Sequence, residues 1–258
     1  MNHVLVAENV SLAFGGIVAL QNVHMNASAG EIVAVLGPNG SGKTTLLNVI
    51  TGVYIPDNGQ VLLDGKPIQK LPKEKISHAG IARTFQNIRL FKTRNVLDNV
   101  RIGCHHLYKC GLVSTILNSK RFREEQKAFT DRAMELLDFV GLKEKANVIS
   151  ENLPYAQQRL LEVARALATN PRVLLLDEPA AGMNAVEISN MDNLIRKISE
   201  RGITVILVEH IMDLVRGVCD RVYVLNNGMN IAEGTFAEIE NNNDVKEAYL
   251  GKGGGKHA

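Results

Sequence analysis

Eight residues, Gly37-Pro38-Asn39-Gly40-Ser41-Gly42-Lys43-Thr44, constrain this chain more than any other stretch. They follow an apolar, β-branched run, Ile32–Leu36, and lead into a helical pattern, Lys43–Ile50. The glycines let the backbone curl, so that successive N–H groups point at one spot. A helix beginning there adds the positive end of its dipole. Strand, loop and helix together make a cradle for a row of phosphates. Lys43 can reach the β- and γ-phosphates, and the Thr44 hydroxyl can hold Mg2+.

The rest of the chain agrees with such a unit. Apolar runs at 173–176, 203–208 and 221–225 alternate with helical patterns at Ala185–Glu200 and 211–218. That alternation predicts an α/β fold, a parallel sheet covered by helices. Earlier, 4–10 reads as a strand, and 61–63 closes on Asp64-Gly65, a hairpin turn. From Asn95 to Ala168 the pattern turns helical, with Phe129, Ala133, Leu136, Leu137 and Val140 at helical spacing and Gly141 as a stop. The expected organisation is a discontinuous core, 1–94 and 169–240, with an inserted helical lobe, 95–168, and a C-terminal extension, 241–258. The glycine-rich end, 251–258, is expected to be disordered.

Composition excludes some function classes. The 258 residues are 45% hydrophobic and 22% charged, ordinary for a globular protein. A net charge of +2 gives no reason to expect nucleic acid as a partner. No apolar run reaches the roughly 18 residues that span a bilayer. The start, MNHVLVAENV, lacks the features of a signal peptide, so the chain is expected to stay in the cytosol. Cys104, Cys110 and Cys219 cannot form a full disulfide framework, which agrees with a reducing compartment.

Asp177 closes the run 173–176, where its carboxylate can face the phosphate loop from the neighbouring strand. Its chemistry suits holding Mg2+ through water. Glu178 follows, suited to orienting or deprotonating an attacking water. Four further pieces occur in order with these: Gln86 in TFQN, LPYAQQ from Leu153, AAGMN from Ala180, and His210 in LVEH. In that order the chain resembles the ATPase subunits of ABC transporters, from Phe14 to about Gly251. Through LPYAQQR, LDEPAAGMN, VEHIMDLV, FGGIVAL and EAYLG it is most similar to the ATPase subunits of branched-chain amino acid importers.

The resemblance implies a P-loop ABC ATPase core with an antiparallel β subdomain and an inserted helical lobe. It implies ATP contacts at Gly37, Pro38, Asn39, Gly40, Ser41, Gly42, Lys43, Thr44 and Thr45, and Mg2+ held by Thr44, Gln86 and Asp177. Glu178 is implied as catalytic base, His210 as a γ-phosphate contact, and Gln86 as a group that touches metal and water and senses a membrane partner. Phe14 is implied to stack on adenine, and packing in the core is the alternative for a strand phenylalanine. Ala181, Gly182, Met183 and Asn184 match the D-loop.

A phosphate loop leaves one side of the γ-phosphate open, and the helical pattern after Pro154 supplies a second helix N-terminus to close it. In the family Leu153, Pro154, Tyr155, Ala156 and Gln157 face the ATP of a second ATPase subunit, identical or related. This run departs from the common LSGGQ: Pro154 stands for serine, and Tyr155 and Ala156 stand for glycines. The Ala156 methyl narrows the approach and disfavours positive φ.

Further implied partners are two membrane permease subunits and an external substrate-binding protein reached through them. The chain would sit at the cytoplasmic face of the cell membrane, with Gln86 and 87–94 towards the permease. Leucine, isoleucine and valine are the implied cargo. The rivals are another cargo (amides, urea, other amino acids), an ABC ATPase outside transport, and a small-molecule kinase, which would leave Gln86, Leu153–Gln157 and His210 unexplained. Cys104-His105-His106 with Cys110 matches no zinc spacing. Lys120-Arg121-Phe122-Arg123 reads as a solvated helix face, and 112–117 as a short run packed inside the helical lobe.

Overall fold

The computed structural model describes residues 3–107 and 119–250. Cys110, the run 112–117 and the end 251–258 lie outside the described residues. The chain divides into two compact units, one made of Met1–Ile81 with Arg172–Ala258 and the other of Ala82–Pro171.

The first unit begins with β1 (His3–Phe14), β2 (Ile17–Ser28), β3 (Ile32–Leu36) and α1 (Lys43–Ile50). Then come β4 (Asn58–Leu63), β5 (Lys66–Pro67) and α2 (Lys73–Ala79), and β6 (Ile81–Arg83) runs from this unit into the second. The second unit holds α3 (Val96–Gly103), α4 (Lys120–Phe139) and α5 (Tyr155–Ala168). The chain returns through β7 (Val173–Asp177), α6 (Ala185–Glu200), β8 (Thr204–Val208), α7 (Met212–Val218) and β9 (Arg221–Asn226). It closes with β10 (Met229–Gly234), α8 (Phe236–Asn241) and α9 (Asn243–Leu250).

One sheet is antiparallel, in the order β2-β1-β4-β5. The other runs β10-β9-β3-β8-β7-β6, with β3 parallel to both β8 and β9, and β7 parallel to β8. Every residue of β3, β7 and β8 is buried. Strands covered on both faces need no polar alternation, which is why they read as unbroken Val, Ile and Leu. One strand position differs from expectation. The β7–α6–β8 crossover returns the chain between β3 and β7, so Asp177 stands two strands from the phosphate loop's strand and not on its neighbour.

Alternate residues of the parallel strands turn to opposite faces. Val33, Val35, Leu175, Ile206 and Leu225 join one core with Leu46, Leu47 and Ile50 of α1 and with Leu5, Leu20, Met25 and Val61 of the antiparallel sheet. That packing seats the helix of the phosphate loop between two sheets. Ala34, Leu36, Val222 and Val224 face the other way, onto Val215 of α7, Phe236 and Ile239 of α8, and Val245 of α9.

In the second unit Asn95 caps α3 by accepting the Asp98 N–H at 2.7 Å. Ala133, Leu136 and Leu137 are the buried residues of α4, and Gly141 takes a positive φ of 74° just past its end. The sequence boundary was expected at 94/95, whereas residues 82–94 fall in this second unit. Hydrogen bonds account for that. Asn99 is fully buried and bonds the backbone N–H and C=O of Phe91, while Ser150 Oγ donates to the carbonyls of Phe91 and Lys92. Among the described residues no helix is long and apolar enough to cross a membrane.

Candidate active site

The phosphate loop leaves β3 at Gly37, whose φ is 148°. A Cβ there would lie 2.1 Å from the Leu225 carbonyl oxygen and 2.5 Å from Ser41 Oγ, so only glycine fits. Gly42 is the N-cap of α1 with a φ of 104°, and it brings no side-chain cap. The first N–H groups of α1, those of Lys43, Thr44 and Thr45, therefore have no acceptor within the helix. Ser41 Oγ is buried with no hydrogen-bond partner among the described residues. Lys43 is buried, and its Nζ donates to the carbonyls of Gly37 at 2.7 Å and Pro38 at 3.0 Å. Burial pushes its pKa down, and the nearby charges of Glu178 and Asp177 oppose that. Helix N–H groups without an intrahelical acceptor, a buried hydroxyl without a partner and a folded-back lysine fit the phosphates of a nucleotide.

Asp177 is the buried last residue of β7. Glu178 follows with a left-handed φ of 50°, and its N–H donates to the Val208 carbonyl at 2.8 Å. Its Oε1 lies 3.0 Å from His210 Nε2, which joins the loops that follow β7 and β8. Sequence reading missed the group between them. Glu209 is buried, and its carboxylate accepts the N–H of Ala180 at 2.9 Å, of His210 at 2.8 Å and of Ile211 at 3.2 Å. It stands beside His210 in the sequence, yet only the fold brings Ala180 to it.

Ala181, Gly182 and Met183 form the turn that follows, with the Met183 N–H donating to the Ala180 carbonyl at 3.1 Å. Asn184 caps α6: its side chain accepts from Val186 and Glu187, and Glu187 accepts the Asn184 N–H at 2.9 Å. Phe14 ends β1 with 43% of its surface exposed, so it is not a core residue. Its ring meets Tyr54 edge-on at 5.0 Å.

Gln86 is exposed in the second unit, and the start of α5 lies in that unit too. Pro154 is the N-cap of α5 without a side-chain cap, so the N–H groups of Tyr155, Ala156 and Gln157 lack intrahelical acceptors. Leu153 is buried beneath that tip, and Gln157 Oε1 accepts from Lys145 Nζ at 2.6 Å. Ala156 sits in the first turn of the helix and has no positive φ. The backbone penalty expected of it does not arise, because a helical residue tolerates a Cβ; the methyl itself remains. One turn on, Arg159 is buried and donates to the carbonyls of Phe85, at 2.6 Å, and Gln86, and to the Tyr155 hydroxyl at 2.8 Å. Glu162, also buried, lies 3.6 Å from Arg159 and accepts the Arg89 N–H at 3.2 Å. Burial pushes the Glu162 carboxyl pKa up, against the pull of Arg89, Arg165 and Arg159.

Burial likewise raises the pKa of the Cys104 thiol. No group of His, Cys, Asp and Glu among the described residues is arranged to hold a metal by itself. Lys120 pairs with Glu124 at 3.8 Å on an exposed face of α4.

A family model described as ABC transporter matches residues 20–181, and one described as branched-chain amino acid ATP-binding cassette transporter matches residues 230–254. The chain is 43% identical to the high-affinity branched-chain amino acid transport ATP-binding protein LivG of Escherichia coli (strain K12), over 96% of this chain and 98% of that protein. Among solved structures it resembles the ADP conformation of MJ1267, an ATP-binding cassette of an ABC transporter, with a TM-score of 0.85 and 32% identity over 97% of this chain and 100% of that one. It also resembles a dimeric post-hydrolysis state of the ATP-binding cassette MJ0796 bound to ADP and Pi, with a TM-score of 0.76 and 29% identity over 90% and 98%. Kinship that runs from the antiparallel sheet to the last helix, around a loop shaped for phosphates, leaves one conclusion: the chain belongs to the ABC transporter family, as one of its ATP-binding cassettes.

Proposed function

We propose that this chain is the ATP-hydrolysing subunit of an importer for leucine, isoleucine and valine. The match at residues 230–254 and the relatives named for branched-chain amino acid transport support that cargo. Hydrolysis rests above all on one observation, the 3.0 Å contact of Glu178 with His210 close to the buried Lys43.

The loop N–H groups and Lys43 bind the phosphates of ATP, and Phe14 offers its exposed ring to adenine. Thr44 and Asp177 would hold Mg2+, whose charge offsets that of the phosphates. Glu178 orients the attacking water and takes its proton, while His210 steadies Glu178 and meets the γ-phosphate. The helical lobe, about 95–168, presents Leu153, Pro154, Tyr155, Ala156 and Gln157 to the ATP of a second ATPase subunit, and Ala181–Asn184 serve as the D-loop. Closure of that pair is driven by nucleotide bound at the shared sites. The pair works at the cytoplasmic face of the membrane on two permease subunits, which receive cargo from an external binding protein.

Glu178→Gln keeps the shape of the side chain and removes the base. Turnover should fall by about 10²–10⁴ while ATP binding persists. Undiminished turnover would remove Glu178 from its role.

A further inference from the structure

Gly37 is buried where β3 ends and the phosphate loop begins, so its backbone N–H needs an acceptor inside the protein. That acceptor is the hydroxyl of Tyr249, 2.9 Å away and 212 residues further along the chain. Tyr249 lies on α9, the last helix among the described residues. The helix is seated by Val245, which is buried in the same cluster as Leu36, the residue before Gly37. Val245 and Tyr249 are one helical turn apart and share a face. One fixes the helix to the core, and the other delivers an oxygen to the loop. The helix start is held as well, since Asn242 Oδ1 accepts the Val245 N–H at 3.2 Å. Further along the loop, the Gly228 N–H donates to the Ser41 carbonyl at 3.0 Å. Besides its own Lys43, the loop is thus held from outside at both ends, and at its entry that outside tie is the side-chain hydroxyl from α9.

We propose that Tyr249 is a positioning residue for the phosphate loop, and that α9 acts through it as a strap that sets the affinity for ATP. The strap rests on the reading of Gly37 to Thr45 as the phosphate-binding loop. A loop held in its binding geometry loses less freedom when phosphates arrive, so an anchor at Gly37 favours nucleotide.

Tyr249→Phe in the full chain keeps the ring and removes only the acceptor. In equilibrium titration the Kd for ATP should rise by about five- to tenfold, and the kinetic loss should appear in KM and not in kcat. A role in packing alone predicts the opposite pattern, an unchanged Kd for Tyr249→Phe and weakened binding for Tyr249→Ala. That pattern overturns the strap. Lys43→Ala, titrated in parallel, separates the two levels of the proposal. It should lose ATP binding, and if it binds as tightly as the parent, the phosphate-loop reading itself fails.

Discussion

Glu178 holds a backbone conformation that a side chain resists. Its left-handed φ of 50° costs about 1–3 kcal/mol in a residue with a Cβ. Glu209 supplies the compensation by accepting three N–H groups from the turns after β7 and β8, the turns that carry Glu178 and His210. Glu209→Ala leaves those donors without their acceptor. It is expected to cost about 3 kcal/mol, a fall of roughly 6–12 °C in Tm, together with lower turnover. Thermal unfolding and ATPase assays read both, and Glu209→Gln, which keeps one acceptor oxygen, should lose less. A lower Tm with turnover intact would make Glu209 a purely structural residue. That Lys43, Asp177, Glu178 and His210 come together was legible, because each sits in a short run that matches one ordered set of motifs. Glu209 and Tyr249 were not, because their meaning lies in backbone donors 29 and 212 residues away.

Helix α5 has two jobs along one axis. Its first turn leaves backbone donors open, and its second turn carries Arg159, which grips the carbonyls of Phe85 and Gln86. The residue proposed to meet the permease is therefore tied to the same helix as the tip proposed to meet the second ATPase. Arg159→Met would leave Glu162 buried with weakened compensation and the two carbonyls without their donor. The expected cost is about 3 kcal/mol, read as a lower Tm, with faster amide exchange across 85–91. Normal exchange there would mean that Arg159 does not hold the loop. The helical period of α5 was readable in the sequence. Its buried polar face was not, since a charged residue within a helix ordinarily marks the solvent side. That pair, with Asn99 and Ser150, accounts for residues 82–94 belonging with the helical unit: the loop's hydrogen bonds go to these four, and hydrophobic patterning carries no trace of them.

Over the whole molecule, the α/β class followed from the alternation of apolar runs and helical patterns after residue 173, because strands joined by helices pair in parallel and are covered by them. Strand order did not follow, since nothing in β7 or β8 states that β8 inserts between β3 and β7. The C-terminal helices α8 and α9 also escaped the sequence, being short and capped by side-chain contacts, yet they bury Phe236, Ile239 and Val245 against the sheet and carry Tyr249 to the loop. One unit carries the loop proposed to bind nucleotide and the other the helix tip proposed to meet a second cassette, the plan of a subunit that would work in pairs on a membrane channel. Leucine uptake into proteoliposomes, with the chain co-purified with its membrane partners, tests that plan most directly. Uptake should require ATP and should be lost with Glu178→Gln. Uptake that persists undiminished with Glu178→Gln, or ATP hydrolysis by the complete complex with no leucine moved, would contradict it.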